Sequence, residues 1–467
     1  MLCACGQSTS SPDAAVDAAS VEACVCVDAS ADADAGLDAN AIFIGDAGGV
    51  TSLDVPGMTP AFSSDVHDYA VRCVAGANVF QVSFTDSSGT HAESVTLVPD
   101  EALVVDGYWV RCLPPDFPKI TVAAHGAGPT PGWFLTNSDT YAIVLDERAT
   151  PVWYARGSMV VDADSQSQNV ISLCPNASGG FGTDPATRFD LHTLGGGARS
   201  VQAVTTPTDA HDLRVLPNGD AVLLTFPVVQ VDGGTRIGDC EIQRVDSQGK
   251  LVWSWDALAH VDVGKESVTQ QITKVNGIDV LDVFHCNSID LDSSGNLLLS
   301  MRHTSAVYFI DGAKGAIQWK LGGTAYVGDG GAHISVVNDS EGTFSLQHDA
   351  RLSASGVTMF DDHGGSAGVA RGVEYAINLG NKTATPIFQY LGTGQSLFQG
   401  SFRRQADGHS VIGWGHVAKD PRTFTEIDAQ GSDVLDVTLT ATIAYRAVKV
   451  PPGQLDVALL RATTALF

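Results

Sequence analysis

Three stretches of the chain carry a histidine at the head of one short phrase that runs to a glycine. They are His211-Asp-Leu-Arg-Val-Leu-Pro-Asn-Gly219, His285-Cys-Asn-Ser-Ile-Asp-Leu-Asp-Ser-Ser-Gly295 and Gln347-His348-Asp-Ala-Arg-Leu-Ser-Ala-Ser-Gly356. Neutral imidazole is a good nucleophile near neutral pH, so a histidine at one position of a repeat brings reactive groups from distant segments to one place. Arg302, in Ser300-Met-Arg-His-Thr-Ser305, adds a permanently charged planar fork suited to an oxyanion, and Asn287 adds an amide donor two residues after His285.

The elements that must position these groups are short strands. Each phrase continues into an apolar run, Ala221-Val-Leu-Leu-Thr-Phe226, Leu297-Leu-Leu-Ser300 and Val357-Thr-Met-Phe360, which reads as strand, glycine-bearing turn, strand. A second phrase leaves a strand at Asp or Asn and returns through a polar turn to an aromatic. Its copies are Val245-Asp-Ser-Gln-Gly-Lys-Leu-Val-Trp253, Ile310-Asp-Gly-Ala-Lys-Gly-Ala-Ile-Gln-Trp319 and Asn378-Leu-Gly-Asn381 leading to Phe388. Two hairpins make a four-stranded antiparallel sheet, and such sheets in series predict an all-β chain folded as a β-propeller.

Six blades can be counted. The first holds Gly132 to Tyr154, the second the irregular stretch 160–204, and the third to fifth start near His211, His285 and His348. The sixth runs from Ser401 through Gly413-Trp-Gly415 to Val437. Innermost strands border one channel, so equivalent positions converge and His211, His285 and His348 are expected at one mouth with Arg302. His303 and His363 follow second strands, and His416 occupies the comparable place in the last blade, so all three are expected around the substrate. The remaining histidines, such as His67, His192 and His409, carry no motif and are read as structural.

The ordered string His285-Cys-Asn287, Ser300-Met-Arg302, Ile310-Asp-Gly, Trp319-Lys-Leu-Gly-Gly323, Gln347-His348-Asp and Phe360-Asp-Asp resembles the arylsulfotransferases, in their second, shorter subfamily, over roughly residues 117–440. The resemblance implies a six-bladed propeller that moves a sulfuryl group from an aryl sulfate to a phenol through a sulfohistidine, with no nucleotide donor and no cofactor. It assigns the nucleophile to His348, the sulfuryl-oxygen contacts to His285, Asn287 and Arg302, and the acceptor side to His211. Arg371 stands where the subfamily often has a Ser-Arg pair, but Ala370 replaces the serine, and an ion pair between blades is the simpler role for that arginine.

Chemistry supports those roles independently. A histidine carrier splits one transfer into two easier ones, fixed donors hold the charge on three sulfuryl oxygens, and His211 suits the base that takes the phenolic proton. His285 adds a third donor if protonated. Two other readings stay open. Three imidazoles suit a transition metal, although no carboxylate or thiolate in a recognisable metal-ligand spacing accompanies them, so no metal is expected. A propeller can also bind a ligand without catalysis.

The 467 residues carry 26 basic against 53 acidic side chains, a formal charge of −27, which opposes nucleic-acid binding and leaves small phenols and aryl sulfates as the expected partners. Residues 1 to 71 hold eleven acids and no Lys or Arg, with Ala-Asp repeats that predict a disordered tether over 1–41. Met1-Leu-Cys-Ala-Cys5 looks like the end of a bacterial lipoprotein signal, which points to a lipid anchor at Cys5 as the one membrane contact, and to the cell envelope or the exterior. Between tether and propeller, 42–116 resembles a small cadherin-like β-sandwich module, followed by the propeller over 117–467. Tyr69-Ala-Val-Arg-Cys73 is echoed by Tyr108-Trp-Val-Arg-Cys112, so Cys73 and Cys112 are expected to pair. Cys174 with Cys240 is a second, weaker pairing, and Cys286 is read as a buried thiol.

Overall fold

The computed structural model describes residues 40–45, 49–126, 128–177, 184–364, 368–440 and 444–463. The Cys5 leader and the expected tether up to residue 39 lie outside them, and Ala41 begins a strand rather than ending the tether. Among the described residues no helix is long and apolar enough to cross a membrane.

Six antiparallel units of four strands, each a blade, follow one another along the chain from residue 133 to residue 439, the first completed by a strand at 447–450. Their innermost strands are Ala447–Val450, Val161–Ser167, Thr208–Val215, Cys286–Leu291, His348–Leu352 and Ser401–Arg404. Each of these packs against the inner region of the next blade, and the last returns to the first, so the ring closes as a six-bladed propeller. The second strands, such as Ala221–Thr225 and Leu297–Met301, are buried along their whole length, which is why they read as unbroken apolar runs. Several hairpin turns of the blades are set by aspartates. The Oδ1 atoms of Asp146, Asp246, Asp292 and Asp428 each accept main-chain N–H groups two and four residues on, the local bonding that makes Asp a turn residue.

Closure uses both ends of the propeller sequence. Blade one takes its innermost strand from Ala447–Val450, paired antiparallel with Trp133–Ser138, while Ile120–Ala124 adds a fifth strand outside blade six. The repeat pattern showed neither clasp, because each is one strand detached from its hairpin. Ala332–Val336 runs parallel to the outer strands of blades four and five and joins them into one nine-stranded sheet. Two excursions on the mouth side, Val228–Gln230 with Arg236–Gly238 and Gln271–Val275 with Ile278–Asp282, pair into an extra four-stranded sheet.

Ahead of the propeller, strands from Ala41–Ile44 to Tyr108–Leu113 form a four-stranded and a three-stranded sheet over one apolar core containing Leu53, Tyr69, Phe84 and Val110. Cys73 and Cys112 are bonded, with Cα atoms 5.6 Å apart. The second disulfide differs from the expectation. Cys240 pairs with Cys286, Cα atoms 6.1 Å apart, and Cys174 is a buried free thiol in blade two. The reason is topological: Cys240 precedes the third strand of blade three, against the inner strand of blade four, whereas Cys174 packs into the core between blades two and three.

Four of the six inner strands share one irregularity. Their ladders slip at Val161/Asp164, Thr208/Leu213, Cys286/Ser288 and His348/Arg351. Such bulges re-aim side chains, and here they send Asp162, Asp212, Asn287 and Asp349, all fully buried, toward the axis. Arg446, just before the closing strand, meets all four segments. Its guanidinium pairs with Asp162, with Asp212 at 3.1 Å and with Asp349 at 3.4 Å, and it donates to the main-chain oxygen of Asn287 at 2.7 Å. Arg351 bridges Asp212 and Asp349 at 2.8 and 2.7 Å, while Arg403 and Arg214 reach Asp349 and Asp164 at 2.7 and 2.9 Å. Arg446→Met removes the shared cation and leaves three carboxylates facing one another. It is expected to cost about 3–5 kcal/mol, read as a lowered urea midpoint.

Candidate functional site

One step above this charged layer stand the histidines, because His211 precedes Asp212, His348 precedes Asp349 and His285 lies two residues before Asn287. All three rings are buried, with 8%, 2% and 7% exposure for His211, His348 and His285. The rings of His211 and His285 lie 5.2 Å apart and those of His285 and His303 4.7 Å apart. His285 and Asp349 hold left-handed φ angles of 52°, strain that persists only where the surroundings fix it.

Each ring is aimed by a carboxylate that the sequence reading gave no role. Nδ1 of His211 meets Asp209 at 2.5 Å, Nδ1 of His285 meets Asp282 at 2.7 Å and Nδ1 of His348 meets Asp362 at 2.5 Å. The only available sequence signal was an aspartate two or three residues upstream of His211 and His285. Asp362 is fourteen residues downstream of its partner and comes from the adjoining strand end. On the other side of His348, the Gln399 main-chain N–H donates to Nε2 at 3.2 Å. An amide can only donate, so Nε2 carries the lone pair and Nδ1 carries the proton toward Asp362. Burial first, and then the positive charge of Arg302, hold this imidazole well below the usual histidine range. His348 is therefore a neutral base whose lone pair lies on Nε2, where it accepts from the Gln399 amide.

Arg302 begins a short 3-10 turn, Arg302–Thr304, whose main-chain N–H groups at Arg302 and His303 donate to His285 and Phe284. Its guanidinium donates to His303 Nε2 at 3.0 Å and to the Leu397 oxygen at 2.8 Å, while the buried Nε has no partner. His303 is thus tied to Arg302 on one side and to the Asp282 oxygen, 3.0 Å from Nδ1, on the other. Burial, with His285 beside it, lowers its pKa to about 4.

His285 is also held well below the usual range, by burial and by the charges of His211 and Arg302, so it is not a cation. His211 differs. Burial disfavours its charged form, but the charge and hydrogen bond of Asp209 outweigh that and raise its pKa. Tyr445 closes this side, its hydroxyl donating to the His211 main-chain oxygen at 2.9 Å. Nothing in the repeat pointed to Tyr445, which arrives from the segment before the clasp.

Asn287 is fully buried beneath the rings. Its amide nitrogen donates to the Gln347 oxygen at 2.7 Å and its Oδ1 has no partner. The structure brings His211, His285, His303, His348, Asn287 and Arg302 together but does not place His363 among them. That ring faces the main-chain oxygens of Val369 and Glu341 at 3.0 and 3.1 Å. His416 lies at the rim, stacked on Phe398. Arg371 is fully buried and bonded to Asp339 and Asp361 at 2.8 and 3.0 Å, a structural ion pair.

Oxygen and nitrogen atoms of Asp282, His285 and His303 all lie within 4.8 Å of one another, a set that could hold a metal ion. The carboxylate that spacing did not reveal is therefore present, supplied three residues before His285. A cleft of about 780 Å³ between blades three and four, lined by Arg214, Trp253 and Asp292, lies at the turn ends away from the histidines and takes no part in this arrangement.

Among solved structures, a Bacteroides caccae protein of unknown function is similar over 69% of this chain and 99% of its own, with 13% identity and a TM-score of 0.43. The periplasmic gluconolactonase of Pseudomonas aeruginosa covers 69% and 99% at 12% identity and 0.40. An inactive virginiamycin B lyase from Staphylococcus aureus, solved with quinupristin, covers 68% and 99% at 10% identity and 0.33. No curated protein matches the chain. The arylsulfotransferase (ASST) family model matches residues 134–446, from the first strand of blade one to the arginine at the axis, and the chain belongs to that family.

Proposed function

We propose that this arylsulfotransferase-family protein moves a sulfuryl group between phenolic oxygens by way of His348, without a cofactor. The observation that carries the reading is the His348 environment: Nδ1 fixed by Asp362, Nε2 unprotonated, and the ring kept neutral inside a cationic surround. In the first half-reaction Nε2 attacks sulfur of an aryl sulfate. The aryl O–S bond breaks, and the leaving oxygen takes a proton from His211, whose raised pKa suits an acid. In the second half-reaction His211 takes the proton of the incoming phenol, its oxygen attacks sulfur, and the N–S bond breaks to restore His348.

Arg302 faces the sulfuryl oxygens, its unpartnered Nε offering one further donor. His285 is neutral, and an arriving anion favours its protonated form, which then donates from Nε2. Asn287 supports the Gln347–His348 turn from below. The two disulfides fit an oxidising compartment, and we place the protein in the cell envelope or outside it. Metal binding at Asp282, His285 and His303 is the second reading, because those groups already converge.

Three outcomes test the proposal. Rapid quench with 4-nitrophenyl sulfate alone is expected to trap about one acid-labile sulfuryl group per chain on the peptide containing Gln347-His348-Asp349, with turnover surviving exhaustive chelation. His348→Ala is expected to fold and to lose more than about a hundredfold in rate. Loss of activity on chelation, restored by metal with no labelled peptide, would transfer the site to the metal reading.

Arg302→Lys keeps the charge and loses the fork, so kcat/KM is expected to fall by at least about tenfold; unchanged kinetics would place Arg302 outside the site.

The pH profile follows from the opposite shifts of two histidines. Protonation of His211, at a pKa above the usual value, stops it acting as the base for the acceptor. His348 stays neutral to much lower pH. Labelling of His348 is therefore expected to persist near about pH 5.5, where transfer to phenol has declined. Asp209→Asn removes the charge that raises His211 and is expected to move the acid limb of the acceptor step to lower pH. A limb that does not move would remove His211 from the base role.

A further inference from the structure

The segment Ser396–Gly400 lies across the mouth as a strap. Its Ser396 N–H donates to the Asp362 oxygen at 3.1 Å, its Leu397 oxygen accepts from Arg302 and its Gln399 N–H donates to His348. Leu397 and Phe398 exchange main-chain bonds with His416, and Gly400 N–H donates to the Tyr445 oxygen, each at 3.1 Å. One stretch of backbone thus touches the His348 ring, the main chain of Asp362 that holds it, the Arg302 guanidinium and the Tyr445 segment.

The seat of the strap is built for it. Gly400 has a φ of +113° and a Cβ there would lie 2.4 Å from the Phe360 ring. Gly415 has a φ of +58° and a Cβ there would lie 2.6 Å from the Gln399 carbonyl carbon. Both positions need glycine for the strap to lie down. Yet this held segment leaves Leu397 55% and Phe398 36% exposed. The Phe398 ring stacks on His416, centroids 4.8 Å apart and planes at 15°. A fixed backbone that presents a stacked aromatic pair and a leucine to solvent, within one residue of contacts to both Arg302 and His348, has the form of a ring-binding surface.

We propose that Phe398, stacked on His416, is the platform that takes the aromatic ring of donor and acceptor in turn, and so determines preference for aryl over alkyl substrates. The proposal rests on the sulfuryl-transfer reading for the identity of its ligands, and on the strap's geometry for its place. Two half-reactions that share one nucleophile need the leaving and entering oxygens at one point, which a single ring platform beside His348 supplies.

The test is equilibrium titration of 2-naphthol, with cyclohexanol as the ringless control, into the full chain, with no sulfuryl donor. Naphthol is expected to bind and cyclohexanol to bind at least about tenfold more weakly. Phe398→Ala is expected to weaken naphthol about five- to tenfold, the scale of one lost aromatic pair. Phe398→Trp should restore it and Phe398→Leu should not. Naphthol binding that is absent, that survives Phe398→Ala or that Phe398→Leu restores overturns the platform.

Labelling of His348 by 4-nitrophenyl sulfate, run on the same variants, separates the two readings. Labelling with naphthol binding indifferent to Phe398 refutes the platform and keeps the transfer. Binding that depends on Phe398, with no labelling in any variant, keeps the platform and refutes the transfer. Phe398 is exposed at the rim, and unchanged melting of its variants confirms that a change in binding is local.

Discussion

A guanidinium in water interacts weakly with any one carboxylate, but a guanidinium sealed inside a ring of strands has no alternative partners. Arg446 is nearly unexposed and touches the inner segments of blades two, three, four and five while itself leading into the inner strand of blade one. The desolvation of that cation and of Asp162, Asp212 and Asp349 is costly, and only mutual contact offsets it. The charges therefore specify how far apart five blades stand. Arg351, Arg403 and Arg214 extend the lattice to blade six, and the histidines rest on it.

This foundation explains why the site can hold three buried imidazoles with different proton affinities. His211, His285 and His348 are equivalent in the repeat, and each has a carboxylate at Nδ1, yet their pKa shifts differ in sign. Geometry at Nδ1 is common to all three. What distinguishes them is the charge around each ring: His348 faces Arg302 while burial pushes its partner Asp362 well above the usual carboxylate range, whereas the charge and hydrogen bond of Asp209 outweigh burial and Arg446 at His211. Repetition of a fold element supplies equivalent positions, and the unrepeated residues at its edges divide the labour.

The parts legible in the sequence were those that repetition exposes. The phrase from His to Gly showed the inner hairpins, and the shared first residue placed His211, His285 and His348 at one mouth, where the structure has them. The clasp Ala447–Val450, the outer strand Ile120–Ala124, and with them Tyr445 and Arg446, were illegible because a lone strand has no repeat to mark it. Asp362 was visible in the Phe-Asp-Asp motif, but its partnership with His348 depends on strand pairing. Cys286 read as a thiol because its partner in the neighbouring blade is forty-six residues away and shares no pattern with it. His363 followed the same spacing rule as His303, yet a local loop at Val369 captures its ring.

The closing strand also sets an order of events during synthesis. Arg446 and Tyr445 come after every other group of the site, and the segment they head is the inner strand of the first blade. A chain halted before that point has a first blade without its innermost strand, an axis of carboxylates lacking their shared cation, and a His211 main-chain oxygen lacking its hydroxyl donor. The closing strand thus completes the axial charge lattice and the Tyr445 side of the histidine cluster in one step rather than blade by blade.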